Sequence, residues 1–183
     1  MNTWTAIVVI VALLVGGAIA WMYLRRRRTD ALRTRFGPEY DHELNEQGSR
    51  RRAEAELRDR ARRVKRLSLR PLPPNERSRY AGLWNEQQAR FVDDPRAAID
   101  QADHLVEEVM AKRGYPIADF DQKAADISVD HPHVVENYRV AHEIAVRQKR
   151  GQAGTEDLRK AMIHYRTLFE ELLEDRPMEA PAR

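Results

Sequence analysis

One stretch constrains this chain more than any other. From Trp4 to Leu24 it reads WTAIVVIVALLVGGAIAWMYL, 21 residues without a charged side chain, and Arg25-Arg26-Arg27-Arg28 follows at once. At about 1.5 Å rise per residue such a helix reaches about 31 Å, close to the thickness of a bilayer hydrocarbon core. The pattern predicts a transmembrane anchor over residues 1–24. A cleavable signal peptide is the competing reading, because Ala18-Ile19-Ala20 resembles a cleavage site. Against it stand the uncharged Met1-Asn2-Thr3, where a basic region belongs, and an apolar run that continues past Ala20. Trp4 at one end and Trp21 and Tyr23 at the other sit where an interfacial aromatic belt is expected.

Four arginines follow the stretch and none precedes it. The positive-inside rule then predicts a single-pass protein of the cytoplasmic membrane, N-terminus out, with the C-terminal domain in the cytoplasm. Ala12, Gly16 and Ala20 fall at i, i+4 and i+8, a small-residue face that would let two copies approach as a homodimer.

Charge is unevenly distributed behind this segment. Residues 25–70 hold 16 Lys/Arg against 8 Asp/Glu, a balance of +8, and residues 71–183 hold 16 against 21, a balance of −5. The chain is apolar, then basic, then mildly acidic. It has no Cys, which excludes disulfides, thiolate metal sites and cysteine nucleophiles together.

Punctuation predicts helices throughout. A break is expected at Gly37-Pro38, and Ser49 is placed to cap a helix from Arg50 to about Leu67 with Ala53, Leu57, Ala61 and Val64 as its apolar stripe. Glu54–Arg58, Glu56–Arg60 and Asp59–Arg63 are favourable i, i+4 pairs along it. Pro71, Pro73 and Pro74 end that segment. Asn75 is read as the cap of the next helix, and Asp94-Pro95 opens another that Gly114 closes. A short helix follows Pro116, another runs from about Asp130 to Gly151, and the last begins at Thr155. Leu158, Ala161, Met162, Tyr165, Leu168, Phe169 and Leu172 give that last helix the clearest 3.6-residue period in the sequence. The expectation is an all-α chain: the anchor, a basic juxtamembrane helical stalk over 25–70, a cytosolic bundle of about four main helices over 71–175, and a disordered tail over 176–183.

Candidate chemistry is sparse. His133 and His142 are nine residues apart, about half a turn out of phase on one helix. His142-Glu143 is not a zincin motif, because Val146 stands where the second His is needed. Asp119, Asp121, Asp126 and Asp130 form an acidic run read as caps and solvated carboxylates, since Lys123 spoils a calcium loop. The one pocket the spacing suggests lies between the last two helices, around Tyr138, His142, His164 and Tyr165. No catalytic residue, metal ligand or cofactor is assigned.

The basic segment reads as a solvated helix laced with salt bridges and carrying a topology signal, or as a lipid contact in which Arg25–Arg28, Arg50–Arg52 and Arg62–Arg66 meet anionic headgroups. Nucleic acid is disfavoured, because no aromatics are interleaved with the arginines. The function expected is a membrane-anchored, non-enzymatic scaffold or docking domain for an unidentified protein partner. The alternative is a small-ligand-binding or enzymatic bundle.

RFGPEYD (Arg35–Asp41), LSLRPL (Leu67–Leu72), RYAGLW (Arg79–Trp84), ADHLVEEVMAKRGYP (Ala102–Pro116), DISVDHP (Asp126–Pro132) and TEDLRKAMIHYRTLFEELL (Thr155–Leu173) resemble an uncharacterised family of bacterial single-pass membrane proteins with a helical soluble domain. The resemblance covers nearly the whole chain after the apolar stretch. It implies a bacterial membrane protein and brings no activity or site residue with it.

Overall fold

Backbone punctuation decides where each helix of this chain starts and stops. The structure, a computed structural model, describes residues 3–174, except for the side chains of residues 3 and 5–11. Among the described residues there are eight helices: α1 (Thr3–Phe36), α2 (Pro38–Gln47), α3 (Arg50–Val64), α4 (Pro74–Arg90), α5 (Pro95–Arg113), α6 (Phe120–Asp130), α7 (Val135–Lys149) and α8 (Thr155–Leu173). The tail expected over 176–183 lies outside the described residues.

The predicted stops hold at most positions. Gly37 separates α1 from α2. Asp94 caps α5 by accepting from the Ala97 amide at 3.1 Å, and Asp119 caps α6 by accepting from Gln122 at 2.9 Å. Gly114 closes α5 at φ +99°, where a Cβ would lie 2.7 Å from the Ser68 carbonyl oxygen, so only glycine fits without displacement. Two caps differ from expectation. Ser49 stands at the N-cap of α3 with no side-chain hydrogen bond, and α4 starts at Pro74 after Pro73, with Asn75 already inside the helix. Proline supplies the helical φ there and has no amide to leave unpaired.

The main core lies among α4, α5, α7 and α8, with α6 at one side. Trp84 of α4 stacks on Phe169 of α8 at 4.6 Å between ring centroids. Ile99, Val106, Val109, Tyr138, Leu158, Tyr165 and Leu168 are buried between them. This is the helical bundle that the apolar periods of the last helices predict.

The basic segment is not a free stalk. The end of α1, α2 and α3 enclose a second core of Phe36, Tyr40, Leu57 and Val64, closed by Val129 from α6. Three carboxylates are buried there among guanidinium groups. Glu39 accepts from Arg60 Nη1 at 2.8 Å and from Arg139 Nη1 and Nη2 at 2.7 Å each, and Glu43 also pairs with Arg60. Glu54 accepts from Thr29 at 2.8 Å, Arg50 at 2.9 Å and Tyr40 at 3.2 Å. Of the expected helix-surface pairs, Glu54–Arg58 and Glu56–Arg60 form. Arg63 instead reaches Asp126 of α6 at 2.8 Å, while Asp59 takes Arg62. Buried Asp126 outcompetes exposed Asp59 because a carboxylate removed from water must be paired.

The membrane expectation requires correction. Among the described residues, no helix is long and apolar enough to cross a membrane. The described apolar side chains run continuously from Ala12 to Leu24, about 20 Å of helix against the roughly 30 Å of a hydrocarbon core. Residues 5–11, on which the predicted anchor also depends, have side chains outside the described set. On the other side α1 passes without a break through Arg25–Arg28 to Phe36, adding charge rather than apolar length. The transmembrane helix over residues 1–24, and the single-pass topology built on it, are not supported.

Candidate functional site

Two regions carry the residues that the sequence singles out. The first is the junction of α7 and α8. Tyr138 and Tyr165 point into the main core and are fully buried. The Tyr165 hydroxyl donates to Asp103 Oδ1 at 2.8 Å, and burial, with the charge of Asp103 behind it, pushes the phenol far above its ordinary range. Burial likewise raises Tyr138, whose hydroxyl has no protein hydrogen-bond partner. His142 lies face to face with Phe120 of α6, centroids 3.7 Å apart, and burial lowers its pKa. His164 is instead engaged by Asn137 Oδ1, 2.7 Å from Nδ1. The four expected pocket residues therefore divide. Two tyrosines are core, one histidine is covered by a ring, and the other is tied to its neighbouring helix.

A cavity of about 400 Å³ opens elsewhere, between α4 and α5, lined by Arg79, Tyr80, Glu108, Ala111 and Lys112. The Arg79 guanidinium lies over the Tyr80 ring at 5.3 Å. Among the described residues no group of three or more His, Asp or Glu side chains is arranged to hold a metal ion.

A polar cluster absent from the sequence reading joins the ends of α5, α6 and α8. His131 is buried, with Nδ1 3.2 Å from Glu171, and burial lowers its pKa. Its neighbour Asp130 accepts from the Tyr115 hydroxyl at 3.4 Å and is raised by burial. Arg113 donates to the Leu172 carbonyl at 2.6 Å. No local signal marks this cluster, because its members come from three separate helices.

The second region is the apolar end of α1. Every described side chain from Ala12 to Arg28 is exposed, among them Leu13 at 71% and Leu14 at 68%. Trp4 is 77% exposed at the far end. The exposed face includes Ala12, Gly16 and Ala20, and a Cβ at Gly16 would meet no atom within 4 Å. At the boundary with the charged segment, Arg25 lies over the Trp21 ring at 5.3 Å and Arg27 over the Tyr23 ring at 5.0 Å. Cation–π contacts of this kind hold guanidinium groups beside aromatic rings at the join.

Among the described residues, fold and surface together define a helical body that carries an exposed apolar rod ended by four arginines. No family model matches the chain, and neither a curated protein nor a solved structure matches it. The expected bacterial family therefore rests on the resemblance alone.

Proposed function

We propose that this protein is a helical docking module held at a lipid bilayer by the apolar end of α1, with its folded body offered to a protein partner. The observation that carries the reading is exposure on all sides of the rod between Ala12 and Leu24. A protein groove or a second copy covers one face of a helix, whereas lipid covers the whole circumference. Removing Leu13, Leu14, Val15, Ile19, Trp21, Met22 and Leu24 from water is worth on the order of 10 kcal/mol, and an exposed apolar surface of this extent marks an interaction site. The arginines favour the anionic cytoplasmic leaflet as the surface. Docking fits the α7–α8 junction, where Phe120 covers the His142 ring and a small ligand would first have to displace it.

Flotation of the full chain with phosphatidylcholine vesicles tests the reading. The wild type is expected to float, and the L14E/I19E variant to remain at the bottom of the gradient. Both side chains are exposed, so helix content and Tm should not change. Equal flotation of the two proteins, or of neither, would overturn the proposal.

A further inference from the structure

The sequence places Arg25–Arg28 and Arg50–Arg52 more than twenty residues apart, but the fold sets them at one level. Thr29 of α1 donates to Glu54 of α3 at 2.8 Å, which fixes the register of the two helices at that point. Further along, Phe36 of α1 shares the second core with Leu57 and Val64 of α3. The helices therefore run in the same direction. One turn before the Thr29–Glu54 contact, α1 carries Arg25–Arg28 and α3 carries Arg50–Arg52.

The carboxylates nearby are already engaged or few. Glu54 takes Arg50 and Arg58, and Glu46 takes His42. Asp30 is the one exposed acid beside the collar on α1. Among the described residues, Arg25, Arg26, Arg27, Arg28, Arg51 and Arg52 are exposed and form no ion pair with a carboxylate. These six arginines lie on two neighbouring helices at the level of the base of the apolar rod.

We propose that the two arginine clusters form a single site for the phosphate groups of an anionic phospholipid surface. The inference rests on the bilayer reading above and adds the lipid class and the second helix that contacts it. Charge and apolar surface are contiguous: a bilayer that takes up the rod brings its phosphates to the level of both clusters. Guanidinium forks suit phosphate oxygens, giving bidentate hydrogen bonds where lysine would offer a point charge.

The test measures partitioning of the full chain onto neutral phosphatidylcholine vesicles and onto vesicles containing a quarter phosphatidylglycerol. The R51Q/R52Q variant should bind neutral vesicles like the wild type and lose roughly 30-fold in partitioning onto the anionic ones. R26Q/R28Q should lose a similar factor. K65Q/R66Q, at the opposite end of α3, should change it less than about threefold, because screening confines each charge to about 10 Å. If R51Q/R52Q keeps the full anionic preference, or K65Q/R66Q loses as much, the collar is refuted while the bilayer reading stands. Failure of every form to bind neutral vesicles would instead strike the bilayer reading. Saturable binding of inorganic phosphate alone, or of a single-stranded RNA, that depends on Arg51 and Arg52 without any preference for anionic vesicles would also overturn the lipid assignment.

Discussion

Replacing Glu39 with Gln should separate the α1–α3 layer from the bundle more effectively than any change in the apolar contacts between them. The carboxylate is almost completely buried and receives three guanidinium hydrogen bonds, one from Arg60 and two from Arg139. The two arginines respond differently to its loss. Arg60 keeps Glu43 and Glu56. Arg139, of which 20% of the side chain is exposed, keeps only the peripheral Glu136 at 3.5 Å. Breaking a buried ion pair by removing one partner costs about 3–5 kcal/mol, and the residual partners place this case at the lower end, about 3 kcal/mol. For a chain of this size that corresponds to a fall in Tm of about 6–12 °C. The assay is thermal and denaturant unfolding of the full chain in a mild detergent, with Glu39→Gln, Arg139→Gln and the double variant forming a cycle. Amide exchange should accelerate in α2 and α3 before α8. A coupling below about 0.5 kcal/mol would refute the claim that this bridge joins the two layers, because a contact of that size is typical of a solvent-exposed pair.

Further outcomes follow from the buried groups. Gly114→Ala should cost about 2 kcal/mol or more in the same unfolding assay, since the backbone is left-handed there and the new methyl group meets the Ser68 carbonyl at 2.7 Å. Phe169→Ala should lose about 3–5 kcal/mol with its stack on Trp84, and Tyr165→Phe about 1 kcal/mol with the hydrogen bond to Asp103. Burial holds the pKa of His131 below its ordinary 6.5, so the unfolded chain binds the proton more readily. Stability from this group is therefore full above about pH 6.5 and declines as pH falls below it, and His131→Asn should flatten that part of the pH–stability profile. Asp130, raised by burial, acts with the opposite sign from its ordinary carboxylate range upward.

Helix boundaries were legible because each rests on neighbours in sequence. Asp94 and Pro95 act on the amides next to them, Gly114 on its own φ, and the apolar period of α8 on residues three and four apart. The partners of buried charges were not. Glu39 and Arg139 are separated by 100 positions, and Arg63 and Asp126 by 63, so both carboxylates read as ordinary helix surface until the fold brings a guanidinium to them. The surroundings of the expected pocket residues were illegible for a related reason. The spacing of Tyr138, His142, His164 and Tyr165 correctly implies neighbouring helices, yet whether space remains between them depends on Phe120 from α6, which no periodicity within α7 or α8 reports.

The same distinction changes the meaning of the basic segment. Read as composition, residues 25–70 form a solvated helix whose carboxylates moderate its arginines. In the fold, Glu39, Glu43 and Glu54 turn inward, and the first of them is neutralised largely by Arg139 from the opposite end of the chain. The carboxylates are thus withdrawn from the surface they would have screened, while Arg25–Arg28, Arg51 and Arg52 stay outside without acidic partners. An inward-facing acidic layer and an outward-facing arginine collar are two results of one packing arrangement. Loosening the bridge from the other side, with Arg139→Gln, should therefore weaken binding to anionic vesicles as well as stability, because a Glu39 that keeps its charge would turn it back toward the surface and the register that aligns Arg50–Arg52 with Arg25–Arg28 would relax.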